Sequence, residues 1–128
     1  MSFRVVQQGS GIKRDVVLMY LVGDMAQELA SRVGPEACVV AEAVSNYSSE
    51  VTPWRQALEA VGAGSSFELG SIWLIGFSAG CQGVRAQLNE GCPADVVLAC
   101  DGIHGSRPTP TEAQTASWLR LASYARSG

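Results

Sequence analysis

Residues 76–80 read Gly76-Phe77-Ser78-Ala79-Gly80, a serine held between two glycines. A serine hydroxyl becomes an acyl-transfer nucleophile when it is held clear of its neighbours and a base takes its proton. Glycines at 76 and 80 suit the tight turn this demands, since side chains there would run into adjacent chain. The Ala79 N–H follows the serine directly and would face the oxyanion formed during attack, where one such donor is worth about 2.7–4 kcal/mol. The choice of base is narrow, because His104 is the only histidine. Asp101 stands three residues before it in Cys100-Asp101-Gly102-Ile103-His104-Gly105. One short loop could therefore carry both the base and the carboxylate that orients it.

The elements needed to position these groups can be read from the hydrophobic pattern. Ser71 to Ile75 is a strand directly before the serine motif, and Gln82 to Asn89 lies in a helix after it. That strand–turn–helix setting gives an otherwise common motif its mechanical meaning. Asp15 to Val22, apolar beyond its first residue, reads as a strand buried on both faces. Asp24 to Val33 carries Met25, Leu29, Ala30 and Val33 on one helical face, and Gly34-Pro35 stops it. Ala37 to Val44 is a further strand, apolar apart from Glu42. Thr52 is expected to cap the next helix, with Pro53 in its first turn and Gly62 at its end. Asp95 to Cys100 is the last main strand and Phe3 to Val6 a short leading one. Thr109-Pro110-Thr111-Glu112 is a capping box that opens a helix towards Arg126. Strands alternating with helices predict an α/β domain, a three-layer sandwich with a mostly parallel sheet of four to five strands. If the strand ending at Cys100 neighbours the strand before Ser78, their ends lie about 5 Å apart.

On the Gly76–Gly80 motif and this strand–helix order, the sequence resembles the α/β-hydrolase superfamily, and within it the small lidless esterases and cutinase-like enzymes. The resemblance implies a serine hydrolase acting on a carboxylic ester or related acyl bond of a small molecule. Ser78 would be its nucleophile, with Asp101 and His104 following in the superfamily's Ser, Asp, His chain order. It also implies a second oxyanion donor in the loop after the strand preceding the first main helix, here Gly23, Asp24 and Met25. The superfamily commonly has His-Gly at this point, whereas this chain has Val22-Gly23. The Asp-x-x-His spacing is similar to that of SGNH hydrolases, in which one loop supplies acid and base. In typical members the sheet continues for two or more strands and the histidine follows the last. Two readings are therefore open: a miniature hydrolase that uses His104, or the front portion of a longer enzyme.

Composition bounds the alternatives. The 128 residues suit a single domain spanning 1–128. Hydrophobic residues make up 47%, and the 14 glycines fit a fold with many tight turns. A formal net charge of -3 and no cluster of Lys or Arg argue against a nucleic-acid surface. The longest apolar run, Val16 to Val22, is far shorter than the roughly 20 residues that span a bilayer. Without a signal-peptide pattern, a cytoplasmic protein with no membrane role is expected. Four cysteines without a CxxC pair, and one histidine, predict packed thiols rather than a metal site, and acyl transfer of this kind needs no cofactor. An unfinished sheet edge would favour a homo-oligomer. Two rivals keep the scaffold but not the chemistry. One is a catalytically incomplete hydrolase-fold binding or assembly module. The other is a flavodoxin-like domain whose Gly-rich turn holds a phosphate.

Overall fold

The computed structural model describes residues 3–20, 25–44 and 51–100. In chain order these form β1 (Phe3–Gln7), β2 (Lys13–Tyr20), α1 (Met25–Val33), β3 (Cys38–Glu42), α2 (Trp54–Val61), β4 (Glu68–Phe77), a single 3₁₀ turn (Ser78–Gly80), α3 (Cys81–Asn89) and β5 (Val96–Cys100). The strands make one sheet in the order β1-β3-β2-β4-β5. The α/β class and the strand count agree with the sequence reading. No helix among the described residues is long and apolar enough to cross a membrane.

The expected mostly parallel sheet needs correction, for the sheet is mixed. β2 pairs in parallel with β3 and β4, and β4 with β5, but β1 runs antiparallel to β3. The cause is the length of the first link. Residues 8–12 separate β1 from β2, whereas a parallel connection needs a crossover of a dozen or more residues. β1 therefore enters the sheet pointing the other way.

β2 shows why its apolar run is unbroken. Val16, Leu18 and Tyr20 enter one core with Ala57 and Leu58 of α2 and Val84 and Leu88 of α3. Val17 and Met19 enter a second core with Ala26 and Ala30 of α1. A strand buried on both faces has no polar side to show.

Thr52 does not cap α2. Its hydroxyl donates to Glu42 Oε2 at 2.7 Å and its N–H to Oε1 at 2.8 Å. The helix N-cap is Pro53, with no side-chain capping bond. Glu42 is a buried carboxylate at the end of β3, and such a group must find donors. The exposed first turn of α2 is served instead from α3, where Gln87 Oε1 accepts the Trp54 N–H at 3.0 Å. The other end of α2 is at Gly62, as expected, with φ at 90°.

Cysteines 38, 81 and 92 are buried, in line with packed thiols, but Cys100 is exposed. β5 is an edge strand in this sheet order, so its last residues lack the cover that the central strands have.

Candidate active site

The sheet order itself picks out a location. From β2 the chain passes through α1 to β3 on one side, and from β4 through α3 to β5 on the other. α1 and α3 pack on opposite faces. Such a reversal opens a crevice at the C-terminal ends of the two central strands, where ligands bind in open α/β sheets. Tyr20 ends β2 opposite Gly76, and Ser78 stands one residue past the end of β4. The serine singled out by its motif therefore sits at the switch point of the sheet.

Its backbone is equally distinctive. Phe77 is extended, with φ -131° and ψ 129°. Ser78 has φ 54°, and Gly80 is already helical at φ -61° and ψ -21°. Among the described residues Ser78 is the one non-glycine at positive φ. A left-handed conformation costs an L-residue about 1–2 kcal/mol, so it persists only where surrounding packing enforces it.

That packing can be named. A Cβ placed on Gly76 would stand 2.8 Å from Val84 Cγ2 and 2.9 Å from both Cys81 Cα and the Gly80 carbonyl oxygen. Only glycine lets the helix turn back this closely on its strand. Gly83 plays the same part against β2, where an added Cβ would press into the ring of Tyr20. The Cys81 thiol donates a long 3.6 Å contact to the Cys100 carbonyl, linking the start of α3 to the end of β5. Ser78 itself is half-buried, and Ala79 is buried in the first turn of the 3₁₀–α3 segment. N–H groups in a first turn have no acceptor within their own helix.

A polar network braces the sheet end beneath this turn, and motif reading missed it. Gln87, fully buried on α3, donates to the Tyr20 hydroxyl at 2.8 Å and to the Thr52 carbonyl at 2.7 Å. With the Glu42–Thr52 and Gln87–Trp54 bonds, it ties β2, β3 and the start of α2 to the helix that follows Ser78. Burial raises the Tyr20 hydroxyl far above its ordinary pKa, against an opposing effect of the Gln87 bond and a smaller further rise from Glu42. Tyr20 thus stays a neutral phenol. The available signal was Glu42, a lone carboxylate in an apolar strand. Gln82, one turn beyond Ser78, is also buried, and its Oε1 accepts no hydrogen bond.

Of the other residues expected at the site, Met25 opens α1 and is partly exposed. Gly23, Asp24, Asp101 and His104 lie outside the described residues. The expected adjacency of strand ends does hold, since Cys100 is the register partner of Phe77. No group of three or more metal-ligating side chains gathers among the described residues. Comparisons of the chain with protein-family models, curated proteins and solved structures find no match.

Proposed function

We propose that this chain is a serine hydrolase of the α/β-hydrolase type, cleaving a carboxylic ester or related acyl bond of a small molecule through an acyl-serine intermediate. One observation carries the reading: Ser78 is a non-glycine residue in the left-handed region, at the C-terminal end of a central strand and the start of a helix. That is the geometry of a nucleophile elbow, in which strain lifts the hydroxyl above the sheet edge. The scaffold in this reading is a minimal three-layer one, with α1 on one face of the sheet and α2 and α3 on the other.

The steps follow from the residues. His104 removes the hydroxyl proton as Ser78 Oγ attacks the acyl carbon, and Asp101 orients the imidazole. The oxyanion rests on the Ala79 N–H and on a second backbone N–H from Gly23–Met25. The tetrahedral species then expels the alcohol, which leaves with the proton held by His104. Water, activated by the same histidine, releases the acid and restores Ser78. Connectivity supports this assignment of partners. Asp101 is bonded to Cys100, so its Cα is about 3.8 Å from a residue paired with Phe77. His104 is four residues from Cys100, within a reach of about 14 Å. Residues 21–24 likewise follow Tyr20, which ends β2 opposite Gly76.

A fluorophosphonate probe and a short p-nitrophenyl ester test the proposal on the full chain. Labelling and turnover are expected, both lost in Ser78→Ala and both reduced by orders of magnitude in His104→Ala. No labelling of the unmodified chain refutes the enzyme and leaves a binding or assembly module. Labelling undiminished in His104→Ala removes His104 from the role of base.

A further inference from the structure

α3 rests on the two central strands at two unlike points. Over β4 it meets Gly76, which has no side chain, so the backbone at Gly80 and Cys81 comes down almost onto the strand. Over β2 it meets Tyr20, the register partner of Gly76. There the helix supplies the space instead: a Cβ added to Gly83 would stand 2.5 Å from Tyr20 Cγ and 2.6 Å from Cδ1. The far end of the ring is pinned as well. Gln87, one turn after Gly83 on the same helix face, donates to the Tyr20 hydroxyl at 2.8 Å. The same amide also donates to the Thr52 carbonyl and accepts from the Trp54 N–H at the start of α2. A helix set down on one strand and raised over the next by a buried ring has its tilt decided by that ring, because interiors are close-packed and transmit strain.

We infer that the Tyr20 ring is the wedge that fixes the tilt of α3 and so holds Ser78 in its left-handed conformation. Ser78 is joined to β4 through Phe77 and to α3 through Ala79 and Gly80. Its φ of 54° is imposed by where the strand stops and where the helix starts. Without the ring, α3 can roll towards β2 and carry its first turn with it. A strained residue persists only while its surroundings over-determine it, so the serine then relaxes. On the hydrolase reading, and only on it, Tyr20 is a positioning residue that acts through the placement of Ser78 Oγ and the Ala79 N–H.

Stability tests the wedge without reference to activity. The excess in Tm of Ser78→Gly over Ser78→Ala reports the strain at position 78. It is compared in the unmodified chain, in Tyr20→Phe, which keeps the ring, and in Tyr20→Leu, which removes it. Coupled sites give non-additive cycles and independent sites additive ones. The excess is expected to fall by at least half in Tyr20→Leu, towards a reversal of sign, and to persist in Tyr20→Phe. An equal excess in all three overturns the wedge, since a residue that only fills the core lowers every Tm alike. Loss of the excess in Tyr20→Phe also overturns it, and transfers control to the hydroxyl and Gln87. Gly83→Ala serves where Tyr20→Leu does not fold: it presses on the same contact from the helix side, and an unchanged excess there is equally fatal. Ester turnover adds the functional reading. In Tyr20→Leu, kcat is expected to fall about tenfold or more, because small misplacements of a reacting group are costly, with KM within about twofold; Tyr20→Phe recovers most of that loss. An unchanged kcat beside a diminished excess overturns the positioning role. If the unmodified chain turns over no ester, the hydrolase reading fails, and the stability comparison still decides the wedge.

Discussion

The strain at Ser78 can be measured directly by removing it. Ser78→Gly deletes the Cβ that makes φ 54° unfavourable, whereas Ser78→Ala deletes only the hydroxyl and keeps the strain. A left-handed L-residue is disfavoured by about 1–2 kcal/mol. Glycine gives back about 0.4–1 kcal/mol through the greater freedom of its unfolded chain. The glycine variant should therefore be the more stable of the two by about 1 kcal/mol. For a chain of 128 residues, with an unfolding entropy of about 2.1 cal/mol/K per residue, that difference is about 4 °C in Tm. The assay is paired thermal and urea unfolding of both variants at pH 7, with ester turnover recorded alongside. Both variants should be inactive, so the gain in stability comes without any return of function. Ser78→Ala the more stable by about 0.4–1 kcal/mol, the entropic cost of glycine alone, would show that the backbone stores no strain at this point. The elbow reading would then lose its main physical support, even if the serine proved reactive.

Two other perturbations probe the supports of the site. Gln87→Leu keeps approximate side-chain volume but leaves the buried Thr52 carbonyl and Tyr20 hydroxyl, and the half-buried Trp54 N–H, without their partner. At about 1–3 kcal/mol for each of the two buried groups, a loss of about 2–6 kcal/mol in urea unfolding is expected; a loss below 1 kcal/mol would mean that water replaces the amide freely. The second concerns alkaline pH. Burial, reinforced by nearby Asp95, raises the Cys92 thiol from an ordinary 9.0 to about 12. The folded chain therefore keeps a proton that the unfolded chain gives up. Stability from this group is complete below pH 9 and falls as pH rises towards 12, by about 1.4 kcal/mol per unit. Between pH 9.5 and 10.5, Cys92→Ala should lose about that much less stability than the unmodified chain, and parallel pH profiles would contradict the assignment.

Local signals carried the sequence reading a long way, and long-range ones did not. The strand at 71–75, the glycine-framed serine and the helix after it are contiguous, so pattern and turn chemistry expose them together. β4 in fact runs three residues earlier and two later, to Phe77, because pairing with β2 and β5 extends it beyond its apolar run. Thr52 had every local mark of a cap, but a carboxylate ten residues away took both its donors. Gln87 sits on a helix whose polar residues would ordinarily face water, and only the third dimension shows that it is fully buried between two helices and a strand. Cys100 closes an apolar strand, a pattern that does not distinguish a central strand from an edge. The antiparallel entry of β1 was legible in principle. The expected strands Phe3 to Val6 and Asp15 to Val22 leave eight residues between them, too few for a parallel crossover.

The choice of residue at position 78 bears on function independently of any motif. Every other positive-φ residue among those described is glycine, at 9, 11, 34, 62, 64 and 91. Where this backbone needs the left-handed region only to turn, it uses the residue for which that region is free of steric penalty. At position 78 it uses serine and accepts the cost, with Gly76 and Gly83 clearing space so that α3 can hold the turn closed. A purely architectural turn would be better served by glycine at 78 as well. The strained residue instead carries a hydroxyl, half-buried, at the crevice where the strand order reverses. Strain retained for a side chain rather than relieved by its removal is the physical case for Ser78 as a working group. It is also why Ser78→Gly, stable and inert, is the variant that separates chemistry from architecture.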